Sequence, residues 1–136
     1  MKSIIALTLL FVLTACSTKP IVNYTETVSL VDNNVTSDRS TIVVRRDMGF
    51  MGSGCPVEIY LNGVKYARLQ SSQSINIHTT AGTHILSAKF TGRGFCQDRL
   101  NETEVTIQKN ESKYYRLAMN ANGDFHIFPT LSTPIQ

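Results

Sequence analysis

The stretch Val57-Glu58-Ile59-Tyr60-Leu61-Asn62-Gly63 restricts the possible folds of this chain more than any other. Val57, Ile59 and Leu61 alternate with Glu58 and Tyr60, a period of two that sets the apolar side chains on one face of a strand. Asn62-Gly63 follows directly, and both residue types accept the positive φ values of a two-residue hairpin turn. The return strand runs from Val64 to Leu69. Thr41 to Arg46 reads as an earlier strand and Ser74 to His78 as a short later one. Ala81-Gly82 marks a turn from which Thr83 to Phe90 runs back as the second arm of a hairpin. Glu104 to Gln108, Tyr114 to Met119 and Phe125 to Phe128 complete the set, with bends at Asn110 and Asn122-Gly123. Helical periodicity is absent after Ser40, and there is no internal repeat. Strands recurring every 8 to 12 residues or so specify an all-β domain, a small Ig-like sandwich of about seven to eight strands.

The first sixteen residues follow a different logic. Lys2 supplies a positive start, Ile4 to Leu13 an apolar run broken only by Thr8, and Leu13-Thr14-Ala15-Cys16 closes it with small residues before a cysteine. Ten or so apolar residues are too few to cross a bilayer, which takes about 20. Residues 1–15 therefore read as a cleaved signal helix. The segment resembles the signals of bacterial lipoproteins with their closing lipobox. That resemblance implies that the Cys16 sulfur receives a diacylglyceryl group, that the preceding peptide is removed, and that the new amino terminus is acylated, typically with palmitate. Each buried methylene contributes about 0.8 kcal/mol, so two or more chains convert transient contact into stable anchoring. An aspartate directly after the cysteine favours the inner membrane in such proteins. Ser17 stands there, which points to the outer membrane, facing either the periplasm or the exterior.

The remaining chain is long enough for one core and too short for two. Residues 16–40 carry the lipidated Cys16 and a polar, Thr-, Ser- and Asn-rich tether with weak alternation around Tyr24, Val28 and Leu30, and one strand is expected late in it. Fully extended, some 24 residues reach at most about 80 Å. Residues 41–130 form the sandwich and 131–136 a tail. The formal net charge of +3 includes Lys2, and the remaining basic residues are scattered. A nucleic-acid surface would cluster them among stacking aromatics, so nucleic acid is excluded as a partner.

Once Cys16 is taken by lipid, Cys55 and Cys96 remain. An even pair in an oxidising compartment predicts a disulfide. Such a bond closes a loop of about 42 residues and stabilises by roughly 4 kcal/mol through the entropy of the unfolded chain. Neither a CxxC redox spacing nor a zinc-type spacing is present.

Val57 to Gly63, Ala67 to Leu69 and Ala81-Gly82-Thr83-His84 together resemble the PEGA-type β-sandwich. In that pattern a strand enters an Asn/Asp-Gly turn, an aliphatic strand follows, and a Pro/Ala-Gly-x-His turn leads to the next. The likeness extends to an uncharacterised group of bacterial lipoproteins in which an arginine on the first strand, Arg45 or Arg46 here, precedes a glycine-rich loop. It covers roughly Thr41 to Phe90. The sequence departs from it at Ala81, where the motif has proline, and in its long cysteine-bearing loop. The resemblance implies a fold and brings no catalytic residues.

Gly49-Phe50-Met51-Gly52-Ser53-Gly54-Cys55 and Gly92-Arg93-Gly94-Phe95-Cys96 are the two loops that draw attention. A bond between their cysteines brings them to one end of the sandwich and presents Phe50, Met51, Arg93 and Phe95 beside Arg99. An apolar patch edged by arginines has the chemistry of a binding surface. The competing reading folds these aromatics inward over the core. Reading the glycines as a phosphate cradle fails because no helix follows. His78 and His84 flank the 79–83 turn and would face each other across a hairpin, yet further ligands for a metal are not evident and His126 is remote. No nucleophile motif surrounds any serine, although Asp98 and Asp124 are present. Three Asn-x-Ser/Thr sequons carry no weight in a bacterial lipoprotein.

The sequence thus predicts a non-enzymatic, membrane-tethered module without cofactor or metal that contacts an envelope protein or the glycan wall. An inhibitor of an envelope-directed hydrolase such as lysozyme is the alternative. An enzyme built on His78, His84 and a carboxylate is the weaker one.

Overall fold

The computed structural model describes residues 25–30, 39–48, 54–94, 96, 99–120 and 122–132. The signal segment, Cys16, Phe50, Met51, Phe95, Asp98 and the last four residues lie outside them. The nine described elements are all strands: β1 (Thr25–Glu26), β2 (Ser40–Arg46), β3 (Val57–Leu61), β4 (Val64–Leu69), β5 (Gln73–Thr79), β6 (Gly82–Phe90), β7 (Leu100–Ile107), β8 (Ser112–Met119) and β9 (Phe125–Thr130). A five-stranded sheet ordered β1-β5-β2-β8-β9 packs on a four-stranded sheet ordered β4-β3-β6-β7. The protein is an all-β sandwich.

Alternation explains most of the core. Ile42 and Val44 of β2, Ile75 and Ile77 of β5, and Leu117 and Ile127 of β8 and β9 point inward from the larger sheet. Val57, Ile59, Leu61, Leu69, Leu86, Val105 and Ile107 meet them from the smaller one. Each such aliphatic side chain, fully buried, contributes about 1.5 to 3 kcal/mol. Strand β2 lies at the centre, pairing antiparallel with β5 and parallel with β8. Covered on both sides, it reads as the continuous apolar run Ile42-Val43-Val44.

The β3–β4 hairpin forms as its sequence predicts. Leu61 pairs with Val64 across Asn62 and Gly63, whose φ values of 50° and 79° belong to a type I′ turn. The turn at Ala81 is different. Strand β5 belongs to the larger sheet, while β6 pairs with β3 and β7 in the smaller one, so residues 80–81 arch between sheets. The expected hairpin of Ser74 to His78 with Thr83 to Phe90 is therefore corrected. The physical reason is that β5 is already flanked by β2 and β1, whereas β3 offers an edge to β6. Strand β7 begins at Leu100, earlier than the expected Glu104, because Leu100 to Thr103 pair with Leu86 to Lys89 of β6 even though none of them is buried.

Residues 25–30 close one open side of the sandwich. Strand β1 runs parallel to the start of β5, with Thr25 opposite Gln73. The chain then crosses to the other sheet, where the Leu30 amide donates to the Tyr66 carbonyl at 2.7 Å.

Candidate functional site: the disulfide-bonded end

Strand directions gather the ends of β2, β4, β6 and β8 and the starts of β3, β5, β7 and β9 at one pole. Cys55, just before β3, and Cys96, between β6 and β7, are bonded there, with an S–S distance of 2.02 Å and Cα atoms 5.2 Å apart. The predicted disulfide is present. Cys55 is buried in the core and Cys96 packs against it. Gly92 is required beside the bond, because it has a φ of +142° and a Cβ there would stand 2.7 Å from the Cys96 Cβ. A short crosspiece continues the closure: the Thr91 amide donates to the Pro56 carbonyl at 2.9 Å.

Below the disulfide lies a charge that alternation places inside. Ile42, Val44 and Arg46 share the inward face of β2. Arg46 donates through Nη1 to the Leu69 carbonyl at 2.8 Å and lies over the Phe90 ring, 5.7 Å from its centre. Burial lowers its pKa to about 10. Even so the guanidinium stays protonated at neutral pH, and it ties the rims of the two sheets together. Phe90 in turn packs at 4.3 Å on Phe125.

On the outer face of the larger sheet, side chains of the other parity form a ladder. Arg45 lies 5.0 Å from the centre of the Tyr114 ring, and Arg116 lies 5.9 Å from that of Phe128. His126 also packs on Phe128, at 5.6 Å. Asp47 is buried and brings Oδ2 to 3.2 Å from Arg116 Nε, off the hydrogen-bonding direction, so the contact is coulombic. Arginine on aromatic rings combines cation–π attraction with packing. Strand parity alone could have flagged this ladder, since Arg45 is opposite in phase to Val44 and pairs with Arg116 across the β2–β8 ladder.

Of the residues expected to bind, Arg93 and Arg99 are both exposed at this pole. Arg99 donates through Nη1 to the Gly123 carbonyl at 2.9 Å, joining the β6–β7 loop to the β8–β9 turn. That turn is organised by Asn120, whose Oδ1 accepts from the amides of Asn122 and Asp124 at 2.9 and 2.8 Å. Phe50, Met51 and Phe95 lie outside the described residues.

The two histidines near residues 79–83 sit in different sheets and do not face each other across a hairpin. His84 is buried and approaches Asn62 Nδ2 through Nδ1 at 2.9 Å and the Thr80 carbonyl through Nε2 at 2.9 Å. The tautomer that satisfies both contacts carries its proton on Nε2. His78, on β5 of the larger sheet, contacts Thr41 Oγ1 through Nδ1 at 3.1 Å. Among the described residues no group of three His, Cys, Asp or Glu side chains converges as a metal site would. Comparison of the chain with protein-family models, with curated proteins and with solved structures returned no match.

Proposed function

We propose that the protein is a lipid-anchored bacterial envelope protein, held at the outer membrane through Cys16, whose sandwich serves as a non-enzymatic module contacting an envelope protein or the glycan wall. The observation that carries this reading is the Cys55–Cys96 bond. Of three cysteines in the chain it leaves Cys16, at the end of the lipobox, as the thiol for acylation. A structural disulfide also fits an oxidising compartment outside the cytoplasm. The PEGA-type likeness of Val57 to His84 agrees with a compact adhesive domain and supplies no chemistry.

The test is metabolic labelling with an alkynyl palmitate analogue followed by membrane fractionation. Labelled, membrane-bound protein that becomes unlabelled and soluble on Cys16→Ser is the expected result. Absence of label in the wild-type chain overturns the anchoring, and crosslinking in intact cells that recovers neither envelope protein nor peptidoglycan overturns the binding role.

A further inference from the structure

We propose that the disulfide-bonded pole lies on the membrane surface, where Arg93 and Arg99 meet anionic phospholipid headgroups and the exposed side chains of Met48 and Leu100 enter the interface. This inference rests on the anchoring through Cys16 and adds which face of the domain the membrane meets.

The entry point of the chain decides the geometry. The Thr25 amide donates to the Ser72 carbonyl at 3.0 Å, and the Ser72 amide donates to the Arg46 carbonyl at 3.1 Å. Thr25 thus enters beside the last residue of β2, at the pole of Cys55 and Cys96. It is the ninth residue after Cys16. A relaxed polar link of that length spans about 15 to 18 Å, and full extension gives about 30 Å. The other pole, with Asn62–Gly63, is one strand length away, about 20 Å along β4 and about 23 Å along β2 or β5 at some 3.3 Å per residue. Bringing that pole to the bilayer would require a link drawn out beyond its relaxed span and laid back along the domain. The disulfide pole is reached by a relaxed one.

The chemistry of this face suits the contact. Met48 is 62% exposed and Leu100 58%, and both sit at this pole next to the exposed Arg93 and Arg99. Guanidinium groups bind phosphate in a forked geometry, and apolar side chains beside them enter the headgroup boundary. Among the described residues, carboxylates near this pole are engaged within the protein: Asp47 by Arg116, Glu26 by Asn76, Glu102 by Ser87 and Asp124 by Asn120. The far pole presents Asn62, Gly63, Thr80, Lys109 and Asn110 beside the exposed Val64 and Ile85, so the entry point of the chain, and not polarity alone, separates the two poles.

The chain contains no tryptophan, so single reporters read position without background. Leu100→Trp and Met48→Trp mark the disulfide pole, and Val64→Trp, at a site 49% exposed in the wild type, marks the other. The acylated mature chain, beginning at Cys16, is reconstituted on vesicles of phosphatidylethanolamine and phosphatidylglycerol carrying lipids brominated near the headgroup. Quenching at both disulfide-pole reporters at least about twofold greater than at the Val64→Trp reporter is expected. Equal quenching, or the reverse order, overturns the orientation while retention of the protein on the vesicles leaves the anchoring intact. Failure of the acylated chain to stay on vesicles overturns both. In the Leu100→Trp background, Arg93→Glu with Arg99→Glu lowers quenching without loss of vesicle retention; unchanged quenching overturns the headgroup contact.

Discussion

The two poles of the sandwich are closed by different chemistry. At the far pole the β3–β4, β5–β6 and β7–β8 connections are short, and hydrogen bonds finish them: Asn62 Oδ1 accepts from the Ile85 amide at 2.9 Å, His84 reaches the Thr80 carbonyl, and the buried Ser40 hydroxyl donates to the Gln108 carbonyl at 2.6 Å. At the disulfide pole two of the loops, β2–β3 and β6–β7, are long and glycine-rich. Closure there is covalent and ionic, through Cys55–Cys96, the buried Arg46 and the Asp47–Arg116 contact. The difference follows from loop length. A turn of two residues loses little entropy and needs only its own hydrogen bonds, whereas a long glycine-rich loop requires a crosslink to hold it.

The sharpest way to break this contrast is to remove the crosslink. Cys55→Ser is expected to lower the unfolding free energy by about 4 kcal/mol and to leave Cys96 open to alkylation. Thermal melting and thiol labelling check both, and unchanged melting would refute a structural role for the bond. Next in size is the ionic contact. Asp47 is almost fully buried, but Arg116 keeps 29% of its side chain exposed and regains water when Asp47 is lost. Asp47→Ala should therefore cost about 2 kcal/mol, short of the range for a fully buried pair. The control Asp124→Asn, at an exposed turn, stays within about 0.5 kcal/mol in denaturant titration.

At the far pole the corresponding loss is smaller. Asn62→Gly preserves the positive φ of 50° while removing both side-chain bonds, to the Ile85 amide and to His84. A cost of about 1 kcal/mol is expected, the net contribution of such bonds. A loss as large as that of Cys55→Ser would mean that the poles do not differ as described.

Much of this contrast was legible in the sequence. The β3–β4 hairpin was, because period-two alternation and Asn-Gly turn chemistry point the same way. The disulfide followed by elimination among three cysteines. The arch at residues 80–81 was hidden, since Ile75-x-Ile77 and Leu86-x-Ala88 carry the same period whether they pair in one sheet or face each other across two. Leu100 to Thr103 escaped notice because none of them is buried, so this half of an edge strand carries no apolar alternation. Arg46 sat in the inward phase of β2 all along. Only the Leu69 carbonyl and the Phe90 ring, distant in sequence, make a charge acceptable there.

The smallest effect distinguishes the poles by pH. His78 lies near the far end of β5, opposite Thr41 of β2. Its pKa is lowered from 6.5, first by burial and then by the positive charge of Arg39, with Glu26 acting the other way. A lowered value means that the unfolded chain binds the proton more readily than the folded one. The stabilising contribution is therefore fully present above about pH 6.5 and is lost as the pH falls through the folded value. Melting followed from pH 8 down to pH 5 should show a mild loss that His78→Gln removes and Glu26→Gln deepens, since the latter deletes the carboxylate that offsets Arg39. Hydrogen exchange localises the change. As the pH falls, amides of 39–41 and 78–80 should gain exchange relative to those flanking Cys55, once the intrinsic rate is corrected. Equal gains at both poles would show that acid loosens the sandwich as one unit, and that the closure of each pole is not independent of the other.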